Sequence, residues 1–127
     1  MRTVVALVDD LLFQSKLAAT ARQVRVTLKM VTSPQALAEA IAAGDASLLI
    51  VDLNARSNPI EAVEQLRAAG CALPILAFLS HVQVELAERA HAAGCDEVMP
   101  RSKFTQNLAA ILTGTDPHPQ ARGVMPS

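Results

Sequence analysis

Tryptophan and tyrosine are absent from this 127-residue chain, and three phenylalanines are its only aromatic side chains. Nucleic-acid bases therefore find few rings to stack on. Positive charge is lacking too: 11 basic residues face 12 acidic ones, the formal net charge is −1, and no basic stripe runs along any segment. Phosphate-backbone affinity has no charge excess behind it, so direct nucleic-acid binding is not expected. No apolar run approaches the roughly 20 residues of a membrane span, so no membrane partner is expected either. The first apolar run is too short for a secretory signal and stops at two acids, Asp9 and Asp10. A cytoplasmic protein is the expectation. Cys71 and Cys95 lack CxxC spacing, which excludes a metal finger or a thioredoxin motif. Each follows a glycine after an Ala-rich segment, the place of a small buried residue entering a strand. His81, His91 and His118 are too scattered to make a zinc cluster.

What is there is a core-forming alternation. The chain is 51% hydrophobic and of the commonest single-domain size. Strands are expected near Thr3–Val8, Val24–Val31, Ser47–Val51, Ile75–Leu79 and Asp96–Met99. The first, third and fourth are apolar on both faces and belong inside a parallel sheet. The second alternates Val24, Val26, Leu28 and Met30 with Arg25, Thr27 and Lys29, the pattern of a half-exposed edge. The fifth is short and begins on an acid, which suits the other edge.

Helical patterns fill the intervals. Phe13, Leu17 and Ala21 share one helix face. Ser33-Pro34 and Asn58-Pro59 each read as a cap followed by proline at the first helical position. A fourth helix is expected from about Val82 to Ala93, stopped by Gly94. In a fifth, Phe104, Leu108, Ile111 and Leu112 share a face that ends at Gly114. Residues 1–114 are expected to form one domain, and the proline-containing, aperiodic stretch 115–127 a disordered tail or linker stub.

Five βα units with right-handed crossovers imply a doubly wound α/β sheet between two helix layers. With strands two and five at the edges, the strand order becomes 2-1-3-4-5. Strands one and three are then neighbours at the point where the winding reverses, and ligands of open α/β sheets bind beyond the strand ends at that point. Asp9 and Asp10 end the first strand and Asp52 ends the third. Three converging carboxylates are costly without a cation and suit a hard divalent metal and a phosphoryl group.

Val8-Asp9-Asp10 after the first strand and Val51-Asp52 after the third resemble the receiver domain of two-component response regulators, the CheY-like family. The resemblance covers roughly residues 2–113. It implies a flavodoxin/CheY-like fold and a signalling domain, not an enzyme. It implies that Asp52 accepts a phosphoryl group from a histidine kinase or phosphotransfer protein. It also implies Mg²⁺, held directly by Asp10 and Asp52, through water by Asp9, and by the main-chain carbonyl of Asn54. With no effector domain in these 127 residues, output is expected by docking on a downstream effector protein, unless the tail leads to such a domain. The family's usual output and dimer face is formed by helix four, strand five and helix five.

The chain departs from the family pattern at several places. Where receivers carry Thr or Ser at the end of strand four, counting gives Leu79, with Ser80 one later. Where they carry Lys after strand five, counting gives Arg101, with Lys103 two further on. Ser80, Arg101 and Lys103 are therefore the phosphoryl-sensing candidates. Val98 stands at the position of the family's aromatic switch. Arg56, in the loop after Asp52, is read as a solvated residue able to lean over the site, and His81 as a loop residue. Two functions compete: a phosphorylatable receiver, and a pseudo-receiver that binds partners or dimerises without phosphorylation. An independent hydrolase would need a second catalytic acid or base near Asp52, such as a DxD arrangement, and Asn54 holds that place.

Overall fold

The computed structural model describes residues 2–80 and 83–115. Five parallel strands form one sheet: β1 (Thr3–Leu7), β2 (Thr27–Val31), β3 (Leu48–Asp52), β4 (Ile75–Leu79) and β5 (Glu97–Pro100). Their order is β2-β1-β3-β4-β5. The helices are α1 (Leu11–Gln23), α2 (Pro34–Ala42), α3 (Pro59–Ala68), α4 (Val84–Ala93), α5 (Arg101–Gln106) and α6 (Leu108–Thr113). This is the doubly wound architecture that the burial pattern implies.

Strand parity sorts the core into two layers. Val4, Ala6, Leu48, Ile50, Leu76 and Phe78 pack against Phe13 and Leu17 of α1, Phe104 of α5, and Ile111 and Leu112 of α6. Val5, Leu7, Leu49, Val51, Ile75, Ala77 and Leu79 pack against Leu37 of α2, Val63 and Leu66 of α3, and Ala90 of α4. Each fully buried aliphatic or aromatic side chain contributes about 1.5–3 kcal/mol, so this two-sided apolar filling holds the sheet rigid beneath its carboxyl ends. The three phenylalanines meet in the first layer, with Phe78 and Phe104 stacked at 4.6 Å and Phe13 tilted 5.1 Å from Phe78.

Several boundaries differ from the sequence expectation. β2 begins at Thr27, not Val24, because residues 24–26 close α1: Val24 N–H donates to Thr20 O and Val26 N–H to Ala21 O, with Arg25 at φ 58°. β3 includes Asp52 itself. β5 starts after Asp96, whose carboxylate takes the Ile75 N–H and an ion pair from Arg67. Ser33 caps α2 as expected, its Oγ accepting from Ala36 N–H. Asn58 does not cap α3: it sits left-handed at φ 53°, ψ 60°, and its side chain makes no cap bond.

The expected fifth helix is divided at Asn107. Asn107 sits at φ −109°, ψ 13°, outside the helical range, and both its side-chain amide and its backbone N–H donate to Lys103 O. The apolar face survives the break, since Phe104, Leu108, Ile111 and Leu112 are all buried. Both cysteines are free, Cys95 buried and Cys71 half-buried, and burial pushes the Cys95 thiol up to about 12. His81, His118, the expected helix start at Val82 and nearly all of the expected 115–127 tail lie outside the described residues. Among the described residues, no helix is long and apolar enough to cross a membrane.

Candidate functional site

β1 pairs with β3 in parallel register, Leu7 beside Val51. The residues just past Leu7 therefore meet Asp52, the last residue of β3. Asp52 pairs with Phe78 of β4 and shares its parity, so both belong to the face covered by α1 and α5. A pocket of about 540 Å³ opens there, lined by Asp9, Asp10, Asp52, Asn54, Arg56 and Arg101. The three acids come together at the switch point, as the strand order requires.

Each acid is held differently. Asp10 caps α1, its Oδ1 accepting from Leu12 N–H at 3.0 Å and Phe13 N–H at 3.2 Å. Asp9 Oδ2 accepts from the Arg56 N–H at 2.9 Å, which ties the loop after β3 to the end of β1. Asp52 is buried, 2% exposed, with Oδ1 accepting from the Asn54 N–H at 2.9 Å. Burial raises the Asp52 pKa above its ordinary 3.8, and Asp9 and Asp10 add to the rise. The Asn54 bond and the Arg101 charge oppose it without cancelling it.

Two arginines line the pocket, and Arg101 is the one whose guanidinium pairs with the acids. Its Nη1 lies 3.6 Å from Asp10 Oδ2 and its Nη2 lies 3.6 Å from Asp52 Oδ2. The guanidinium carbon stands 4.6 Å from the centre of the Phe13 ring and 5.6 Å from that of Phe78. A planar guanidinium suits this double duty, a flat face on aromatic rings and a two-pronged edge toward carboxylates. The sequence placed Arg101 near the site by counting. Nothing in the local pattern linked it to Phe13, since the two are 88 residues apart (101 − 13).

The other two phosphoryl-sensing candidates are not brought to the acids. Leu79 is buried in the α2–α4 layer. Ser80 lies just past the end of β4 and is exposed, and its N–H and Oγ both donate to Asn54 Oδ1 at 2.8 Å. Asn54 Nδ2 in turn donates to Gln83 Oε1 at 3.1 Å. The asparagine side chain is thus a clamp between the loop after β3 and the end of β4, a role that sequence spacing did not reveal. Lys103 is exposed on α5 and does not line the pocket, because a two-residue step along a helix turns its side chain away from that of Arg101. Arg56 is exposed as expected but does line the pocket and contributes its backbone N–H.

The donor chemistry matches a hard divalent cation in kind: carboxylate oxygens and the Asn54 carbonyl. The arrangement does not. Among the described residues no group of three or more His, Cys, Asp or Glu side chains is set to hold a metal ion. Arg101 instead engages the Oδ2 atoms of Asp10 and Asp52, and Asp9 Oδ2 is taken by a backbone N–H.

No protein-family model matches the sequence, and no curated protein matches it. Solved structures do match. A response regulator receiver protein from Pseudoalteromonas atlantica superposes with a TM-score of 0.73 at 17% identity, covering 90% of this chain and 99% of its own. The receiver domain of the Saccharomyces cerevisiae response regulator Ssk1, solved with the histidine phosphotransfer protein Ypd1, gives 0.78 at 18% identity, covering 88% of this chain and 86% of its own. A Burkholderia pseudomallei response regulator, solved with a phosphorylated aspartic acid, calcium and citrate, gives 0.75 at 15% identity, covering 88% of this chain and 66% of its own. Together with the strand order, these likenesses make the chain a CheY-like α/β domain with the fold of response-regulator receivers.

Proposed function

We propose that this chain is a receiver of two-component signalling in which Asp52 accepts a phosphoryl group. The observation that carries the reading is the buried Asp52 carboxylate facing a guanidinium and two further acids in one solvent-reaching pocket. The Asn54 N–H fixes Oδ1, leaving Oδ2 as the attacking atom. A bond forms from Oδ2 to phosphorus while the N–P bond of a donor phosphohistidine breaks. The imidazole nitrogen keeps the electron pair, and an acyl phosphate results. Such transfer is mostly positioning and charge neutralisation. Arg101 supplies the neutralisation from this chain. The Ssk1 receiver seen with Ypd1, and the phosphorylated aspartic acid of the Burkholderia protein, support this direction.

Two surfaces support signalling by docking. Leu11 and Leu12 follow Asp10 directly and are 75% and 86% exposed, an apolar rim that suits a protein phosphodonor. An apolar groove of about 310 Å³ between α4 and β5, lined by Leu79, Val84, Ala87, Val98 and Pro100 among others, suits an effector or a second copy of this chain.

A second reading, the pseudo-receiver, is favoured by one observation. The Ser80 hydroxyl is bound to Asn54 and Lys103 is off the pocket, so neither reaches Asp52. Intact-mass analysis after incubation with acetyl phosphate, with Asp52→Asn alongside, separates the two. A single phosphoryl adduct that disappears in the variant is the expected result. No adduct under conditions that modify an ordinary receiver overturns phosphorylation and leaves the pseudo-receiver.

A further inference from the structure

Three carboxylates at one strand-end pocket need a positive charge, and this fold supplies one covalently. Arg101 spans Asp10 and Asp52 with its two terminal nitrogens, each 3.6 Å from a carboxylate oxygen. Its position is held from behind, because the guanidinium lies against the rings of Phe13 and Phe78. Phe78 is itself wedged on Phe104 at 4.6 Å, so the platform is part of the core. Arg101 Nε is buried with no hydrogen-bond partner, which shows a side chain placed by its two terminal nitrogens and its flat face. Start-of-helix charge alone does not explain this arrangement: Lys103 on the same helix stays in solvent.

We propose that Arg101 is a tethered cation standing where a divalent metal would stand among these acids, so that the pocket binds metal weakly until the guanidinium is removed. An arginine does not lose its proton in a protein, so this charge is present at every working pH. A metal entering the pocket must displace the guanidinium from Asp10 and Asp52 or share oxygens with it against like-charge repulsion. The inference deepens the receiver reading by assigning the neutralising role to a side chain, and it does not need phosphorylation to be tested.

The test is a titration of the ¹⁵N-labelled full chain with Mn²⁺, followed by paramagnetic broadening of the Asp9, Asp10 and Asp52 amides. The wild type is compared with Arg101→Gln and with Arg101→Lys, a point ammonium that cannot span both acids. We expect each variant to bind Mn²⁺ at these amides at least tenfold more tightly than the wild type, about 1.4 kcal/mol. Arg101→Gln combined with Asp52→Asn should lose that gain. A gain below tenfold in both variants, or one that persists without the Asp52 carboxylate, overturns the proposal. If Arg101→Gln does not fold, Arg101→Lys alone decides. Acetyl phosphate labelling is read separately: a chain that takes no phosphoryl group defeats the receiver reading and leaves the metal comparison standing.

Discussion

Replacing Phe13 with Leu and Arg101 with Gln, singly and together, tests the aromatic platform of the pocket directly. The Arg101 guanidinium carbon lies 4.6 Å from the Phe13 ring centre. With the Arg101 side chain 32% exposed, the interaction belongs at the solvated end of the cation–π range, about 0.5–1 kcal/mol. Phe13→Leu also removes ring contacts with Phe78 at 5.1 Å and Phe104 at 5.9 Å. Each such pair contributes about 0.5–1.5 kcal/mol beyond buried area, so the single variant should lose roughly 2–3 kcal/mol. The double variant should lose less than the sum of the singles by about 0.5–1 kcal/mol, the coupling between ring and cation. The chain has no Trp or Tyr to report by fluorescence. Urea unfolding followed by far-UV circular dichroism therefore gives the four free energies. Losses that add to within about 0.3 kcal/mol would mean that the ring does not hold the guanidinium, and the account of how Arg101 is placed would fail.

Stability should depend on pH through Asp52. Its native pKa is raised above 3.8, chiefly by burial, so the native state holds this proton more tightly than the unfolded chain does. Stability from this group is therefore lost as pH rises through a window that opens near 3.8 and closes at the raised native value. Asp52→Asn abolishes that titration, so its melting temperature should gain on the wild type across the window and keep the gain at neutral pH. Parallel melting curves for the two proteins from about pH 3 to about pH 7 would refute this. On the far side of the sheet, Arg67 donates to the carbonyls of Gly94, Cys71 and Leu73 and pairs with Asp96 at 3.0 Å. Both side chains of that pair are little exposed, 13% and 12%. Arg67→Ala should cost about 3–5 kcal/mol by leaving the carboxylate buried without its guanidinium. A loss under about 1 kcal/mol in the same urea assay would show that the staple is dispensable.

The parts legible in the sequence share one cause. Val4–Val8, Leu48–Val51 and Ile75–Leu79 are apolar at every position, and only a strand covered on both faces buries such a run. The alternation after Arg25 marks an edge in the same way. Local chemistry read less well where several partners were possible. Asn58-Pro59 has the composition of a cap and Asn58 takes a left-handed turn instead. Asn107 breaks an apolar-periodic helix without disturbing its buried face.

Burial pattern and the handedness of crossovers were enough to fix the strand order, and with it the meeting of Asp9, Asp10 and Asp52, because each is a constraint a chain carries along its own length. Which groups answer those acids was decided only in three dimensions. Arg101 reaches them across rings contributed by α1 and β4. Ser80 is diverted by an amide from the loop after β3, and Lys103 is left in solvent by the turn of α5. Those outcomes depend on competition among side chains distant in sequence, and no local periodicity records such a contest.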